Sequence, residues 1–430
     1  MVRKLACLDA NANGFDRHVH RRFVLALQIF FAIKLMPPTP FEELQRLASE
    51  SGVEKSLDFL EHHFRRDKEY FKLFEVLKMR CRHQLGLPLI YSQQPDELDE
   101  TQQRILEDKL LAACREIGTL FFKSGQIQEG WMYLQPIGDK SLNEKLARSV
   151  VPDEENMDAL IDITVSQGAA PVYGFGLLLK HYGTCNGITT FDTQATRFDP
   201  ATRSQMAREL LNHIYDELAA NVNYAIGQGD KTNESGGDSR VNQQAESSMA
   251  SLADLMAAHP DLTKDGAHHI DTTHLASVMR IARLVDDPED LRKAHELANY
   301  GSQLHEDFQY PGNPPFEDTF VDHGFFFGSL LGHDVDRAVA HFQAKMQSLS
   351  ADEFGPVAEE TLVDLLVRLG RNDEAITILT ERVLGKYEPL GIAPPPFEIA
   401  RTPEALARLR EFYKAEGDLL GFAVSVLNRG

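Results

Sequence analysis

Nine of the sixteen histidines of this 430-residue chain fall between His259 and His341. The densest group is His268-His269-Ile270-Asp271-Thr272-Thr273-His274. On a helix, His268, Asp271 and His274 recur every three residues and share one broad face. Neutral imidazoles with a carboxylate form a ligand set suited to Zn, Fe or Mn. His269, His305 and His323, with Asp307 or Asp322, are the further candidate ligands of such a centre. Neither HExxH nor facial-triad spacing is present. The plainer expectation for the same residues is a helix start, with Asp265 or Asp271 as cap and the histidines exposed.

Two other pairs invite chemistry. His333-Asp334 repeats the dipeptide of metal-dependent phosphohydrolases, but it follows Gly332 in a turn where Asp334 or Asp336 is expected to open a helix. His181 and Cys185 stand four apart, a spacing at which an imidazole can activate a thiol on a continuous helix. Gly183 is expected to end that helix between them, leaving a buried, inert cysteine. Phe316, Phe320, Phe325, Phe326 and Phe327 follow the segment Gln309–Pro315 (QYPGNPP). These aromatic residues are expected to build core. With that loop and the nearby histidines, they also mark the one place where an aromatic and imidazole groove is expected. No Walker loop, GxSxG or GxGxxG occurs, so nucleotide binding and serine hydrolysis lack support.

Composition narrows the function classes further. The chain carries 44 Lys+Arg against 65 Asp+Glu, a formal net charge of -21. Neutralising phosphates needs the opposite balance, which argues against nucleic acid and against an anionic membrane surface. The charge is uneven: residues 1–85 hold 15 Lys+Arg and 11 Asp+Glu. Their basic clusters are Arg17/Arg21/Arg22, Arg65/Arg66/Lys68 and Lys78/Arg80/Arg82. They read as solvated helix faces or as a docking surface for an acidic partner. Four cysteines (Cys7, Cys81, Cys114, Cys185) form no CxxC pair and no disulfide framework, as expected of a reducing compartment. No signal-peptide pattern is read at the N-terminus. The longest apolar run, Phe23 to Met36, would span only about 21 Å as a helix. A soluble, cytoplasmic protein is expected.

The elements that must position these residues are helices. Leu106, Leu110, Ala113, Ile117 and Leu120 form one helical stripe, as do Leu362, Leu365, Leu366 and Leu369. Sustained period-two alternation is absent, and Ile188–Phe191 (ITTF) is the best strand candidate. Breaks are expected at Ser92–Glu100, at QYPGNPP and at Glu388–Pro396 (EPLGIAPPP), where proline ends helices. Gly227–Ser248 is poor in apolar residues and reads as a flexible linker. It would divide an N-terminal helical domain, 1–226, from a C-terminal helical-repeat domain, 249–430, with 227–248 between them.

A helix end, a glycine turn and an acid-opened second helix recur along the chain. The clearest copy is Leu369-Gly370-Arg371-Asn372-Asp373-Glu374-Ala375-Ile376. Others start at Ser124-Gly125 and Leu331-Gly332, with looser ones from Gly168 and Gly417. Glycine takes the left-handed conformation that closes a helix, and acids meet the positive end of the next one. A small residue five or six positions later lets two antiparallel helices approach. Asp286-Asp287-Pro288-Glu289-Asp290 keeps the acids without the glycine.

The stretch Gly370–Leu379 resembles a tetratricopeptide repeat, with similar units near 104–180. Arg382 and Val363 stand where that family places small residues. The resemblance implies an all-α fold, an α-solenoid of stacked helical hairpins in two helical parts, used for protein–protein contact. The first functional expectation is therefore a scaffold that binds a protein or peptide, without catalysis. The alternative is a metal-dependent hydrolase or oxygenase with its His/Asp site in 268–341. A third expectation is homo-oligomeric assembly, the basic first 85 residues of one copy docking on the acidic surface of another.

Overall fold

The computed structural model describes residues 38–91, 98–233 and 251–427, with the side chains of 228–233 excepted. The described residues are helical with irregular connections and no strand; the nearest approach to a sheet is one isolated bridge between Pro311 and Asp318. None of the described helices is long and apolar enough to cross a membrane. The chain forms two compact units, Met1–Asp139 and Lys140–Gly430.

In the first unit, α1 (Pro40–Glu50), α2 (Gly52–Arg66), α3 (Tyr70–Gln84), α4 (Glu100–Lys123) and α5 (Ile127–Leu134) pack in sequence, each on the next. Tyr70, Leu73 and Leu77 of α3 meet Ala113, Ile117 and Phe121 of α4 to form a core. The expected stripe on 106–120 is therefore present, with Leu106, Ala113 and Ile117 buried. The basic clusters here are largely paired within the unit. Arg80 meets Asp58 at 2.8 Å and Glu54 at 3.4 Å, and also pairs with Glu61. Arg65 pairs with Glu116 at 2.5 Å, and Lys78 with Glu75 at 2.7 Å. Arg82 is buried, donating Nε–H to the Pro88 carbonyl at 2.6 Å and lying 4.0 Å over the Tyr91 ring. Arg17, Arg21, Arg22, Cys7 and the run Phe23–Met36 lie outside the described residues.

The second unit opens with α6 (Lys140–Ser149), α7 (Met157–Ile161), α8 (Pro171–Gln194) and α9 (Pro200–Asn233). Ile188–Phe191 lies in α8, not in a strand. Its β-branched residues are accommodated as helix because Phe191 packs into the core and the helix continues to Gln194. Gly183 breaks α8 at φ 77°, so the expected interruption between His181 and Cys185 is real. Cys185 is exposed, however, and not buried. Along α9, Ala207, Leu211, Ile214, Leu218 and Val222 form a fully buried stripe.

Helix α9 runs through the first residues of the segment read as a linker, 227–233 being helical; the remainder, 234–248, lies outside the described residues. α10 (Leu252–Ala258), α11 (Thr272–Ala282) and α12 (Pro288–Ser302) all pack on or beside α9. Tyr215 of α9 donates its hydroxyl to Glu296 of α12 at 2.7 Å and accepts from the Leu252 amide at 3.1 Å. The two sides of 227–248 thus share one compact unit, and the division of the chain falls at Asp139/Lys140. A composition-based boundary could not see this, because the buried stripe of α9 has its partners beyond the polar segment.

The rest follows as α13 (Thr319–Leu330), α14 (Val335–Ser348), α15 (Ala351–Phe354), α16 (Val357–Arg368), α17 (Asn372–Ile378), α18 (Pro396–Ile399), α19 (Pro403–Ala415) and α20 (Leu419–Leu427). The turn glycines Gly125, Gly168, Gly332, Gly370 and Gly417 all have positive φ, between 68° and 86°. Behind four of them sits a buried small residue: Gly130, Gly174, Ala338 or Ala375. At the α4–α5 crossing the approach is close: a Cβ on Gly130 would lie 2.4 Å from the Phe122 ring and 3.0 Å from the Gly118 carbonyl oxygen. Gly130→Val is accordingly expected to destabilise the first unit by about 1–3 kcal/mol. The exposed control Gln128→Ala should shift it by less than about 0.5 kcal/mol. Thermal denaturation followed by circular dichroism compares the two.

Candidate ligand pocket

A cavity of ≈ 330 Å³ opens in the second unit where α11, the 309–316 loop and the starts of α13 and α16 meet. The loop is shaped by a cis peptide between Pro314 and Pro315 and by the Gly312 amide, which donates to the Glu317 carbonyl at 3.0 Å. Gly312 is required there, since a Cβ would fall 2.0 Å from the Phe316 carbonyl oxygen. The opposite wall is Ile392, in the proline-rich connection before α18. That connection is gripped by Glu360 of α16, a buried carboxylate accepting amides from Leu390 (2.6 Å), Ile392 (2.9 Å) and Ala393 (3.3 Å).

Phe316 organises the polar groups of the pocket. His323 stacks on it, with ring centroids 4.3 Å apart, and the Arg283 guanidinium carbon lies 4.5 Å from its centroid. His323 is 2% exposed, and its Nδ1 is 2.6 Å from the Thr319 carbonyl oxygen. A carbonyl only accepts, so Nδ1 carries the proton and Nε2 presents a lone pair. Nε2 is buried without a protein partner. Burial, with the positive charge of Arg283, pushes the imidazole down to about 3, so it is neutral at physiological pH.

Arg283 follows α11 directly and donates Nε–H to the Arg280 carbonyl at 3.2 Å. Among the described residues no carboxylate bonds to it, and its one side-chain hydrogen bond goes to that carbonyl. Burial lowers it to about 10, partly offset by the attraction of Asp364. Arg280 also lines the cavity, and its guanidinium is held by both carboxylate oxygens of Asp192, at 2.8 and 2.9 Å. Asp364 stands behind the wall, and burial raises it to about 6. Among the described residues no Asp or Glu lines the cavity itself. The pocket is thus a cationic space set in an acidic protein, and His323 Nε2 is the one buried polar side-chain atom of its described lining that lacks a partner.

The six residues proposed as metal ligands do not converge. His268 is exposed and packs on Phe308, 4.6 Å between ring centroids. His269 meets the Tyr300 hydroxyl through its amide (2.9 Å) and Nδ1 (3.2 Å). Asp271 caps α11, accepting from the amides of Thr273 (2.9 Å) and His274 (3.2 Å). His274 lies 4.0 Å from the Asp271 carboxylate, and His305 caps the short turn Glu306–Phe308. Only His323 reaches the pocket. Asp322 serves a separate buried network with His341 Nε2 (2.6 Å) and Lys345 (2.8 Å). Among the described residues no group of three or more His, Cys, Asp or Glu is placed to hold a metal ion. The reason is local: adjacent histidines at a loop and a helix cap point to different partners.

The groove expected beside QYPGNPP is present, formed by Tyr310, Pro314 and Phe316 with His323. Sequence reading missed Arg280 and Arg283. Their i, i+3 spacing at the end of an amphipathic helix was the available signal, since that face must meet whatever covers the apolar stripe. His333-Asp334 opens α14, with Asp334 in the left-handed region at φ 42°. No protein-family model, no curated protein and no solved structure matches the chain.

Asp364 makes the pocket's electrostatics measurable. Its raised pKa means the folded state holds a proton that the unfolded chain has lost between about pH 4 and 6. Stability from this group is therefore present at low pH and lost as pH rises through 6, by roughly 3 kcal/mol in total. Asp364→Asn should gain stability relative to the parent as pH rises from 4.5 to 7.5, by roughly 1–3 kcal/mol. Taking the difference between the two proteins cancels the opposite contribution of neutral His323. Urea unfolding at the two pH values gives the comparison.

Proposed function

We propose that this protein is an interaction scaffold: an α-solenoid of stacked helical hairpins, similar to tetratricopeptide repeats, that binds a protein or peptide partner. The observation that carries this reading is the repeated turn, with a left-handed glycine at 125, 168, 332, 370 and 417. Supporting it, α16 packs on α17, α17 on α19 and α19 on α20, the neighbour-to-neighbour order a solenoid requires. The helix α20 leaves Leu419, Leu420 and Leu427 exposed, an apolar face of the kind that stacked repeats present to a neighbour. The metal-dependent hydrolase or oxygenase reading needs ligands from 268–341 to meet, and each of them has its own local partner.

Stability in a solenoid is local to neighbouring repeats. A Cβ on Gly421 would lie 2.5 Å from the Tyr413 ring. Gly421→Val should therefore accelerate hydrogen exchange across 403–427 and leave the amides of 206–222 unchanged. Equal acceleration in both segments overturns the solenoid arrangement. The scaffold role further requires a complex of fixed stoichiometry from purified components. If light scattering returns only separate masses for every partner recovered by crosslinking, that role fails.

A further inference from the structure

The cavity beside Phe316 offers two complementary demands. Arg283 presents donors and positive charge, with its Nε–H committed to the Arg280 carbonyl and its two terminal nitrogens bonded to no protein group among the described residues. His323 presents the reverse. Its Nδ1–H is committed to Thr319, and its buried Nε2 accepts and cannot donate while neutral. A buried acceptor left unpaired is costly, as is a desolvated guanidinium without an anion. One small molecule that carries an anionic acceptor and a hydrogen-bond donor answers both. The anion belongs at Arg283; Arg280 beside it is exposed and already held by Asp192.

The donor is further constrained. Among the described residues no carboxylate lines the cavity, and two guanidiniums do, that of Arg280 held by Asp192. An ammonium donor would face the charge of Arg283, to which no carboxylate bonds among the described residues, so a neutral hydroxyl is favoured. Val357, Ile392, Pro314 and Ala276 supply apolar wall for a compact organic body. A volume of ≈ 330 Å³ is at the small end of ligand sites.

We infer that this cavity binds a small hydroxycarboxylate, its carboxylate on Arg283 and its hydroxyl donating to His323 Nε2. The site serves a ligand that nothing in the scaffold reading requires, and it stands without a protein partner.

Calorimetric titration of the full chain tests it with four probes: mandelate, its deoxy analogue phenylacetate, its amino analogue phenylglycine, and inorganic phosphate. Mandelate should bind saturably at one site, at least about tenfold tighter than any of the others. Arg283→Met should abolish the binding. If that variant does not fold, Arg283→Lys should weaken mandelate about tenfold, because lysine lacks the planar fork. His323→Phe should erase the preference of mandelate over phenylacetate while leaving phenylacetate unchanged. Equal affinity of the parent for mandelate and phenylacetate, tighter phosphate, no heat up to roughly 10 mM mandelate, or unaltered binding in a folded Arg283 variant would each overturn the assignment.

Discussion

Irregular backbone enters the second unit where a buried carboxylate receives it. Unpaired amides inside a protein are costly, and a carboxylate can accept several at once. Glu360 takes three amides of the connection before α18. Glu296 takes the Ala253 amide at 3.2 Å beside the Tyr215 hydroxyl, which fixes the start of α10 against α9 and α12. Asp322 takes the Asp318 amide at 2.9 Å and binds His341 and Lys345, which anchors the loop leading into α13. Remove these three acids and the helices still have apolar faces, but the loops between them have no defined course. The cavity beside Phe316 is bounded by two such loops, so its shape depends on the same device.

This also changes the meaning of the net charge of -21. Some acids open helices, such as Glu129, Asp336 and the pair Asp373 and Glu374. Others neutralise the basic clusters of α2 and α3 internally, as Glu54 and Asp58 do for Arg80. Glu296, Asp322 and Glu360 are interior structural groups. Composition alone treats all of them as surface, and the cationic pocket is invisible in the total.

The helices were legible because apolar periodicity and glycine turns are local signals. Leu362, Leu365 and Leu366 are buried as their spacing demands, and Gly370 closes the helix as its position demands. ITTF misled because β-branching reports on side-chain shape and says nothing of what Phe191 packs against. The polar segment 227–248 misled because sequence polarity does not reveal that Tyr215 and Glu296 meet across it. The pocket was half legible. Its aromatic loop stood out, whereas Arg283 looked like any surface charge at a helix end until Phe316 was found beneath it. The clustered histidines allowed either a metal centre or the plainer helix start, and Asp271 is seen to cap α11.

The grip of Glu360 has a consequence for which residues the 388–396 connection tolerates. It is made entirely to main-chain N–H groups, so the side chains of Leu390 and Ala393 play no part in it. The grip itself constrains them only against proline, which has no N–H, although Ala393 also packs on the core. The stretch reads Glu-Pro-Leu-Gly-Ile-Ala-Pro-Pro-Pro, with prolines at 389, 394, 395 and 396 and none at the three donating positions. Its proline pattern is thus a negative print of the carboxylate that holds it, stiffening the chain wherever no donor is needed.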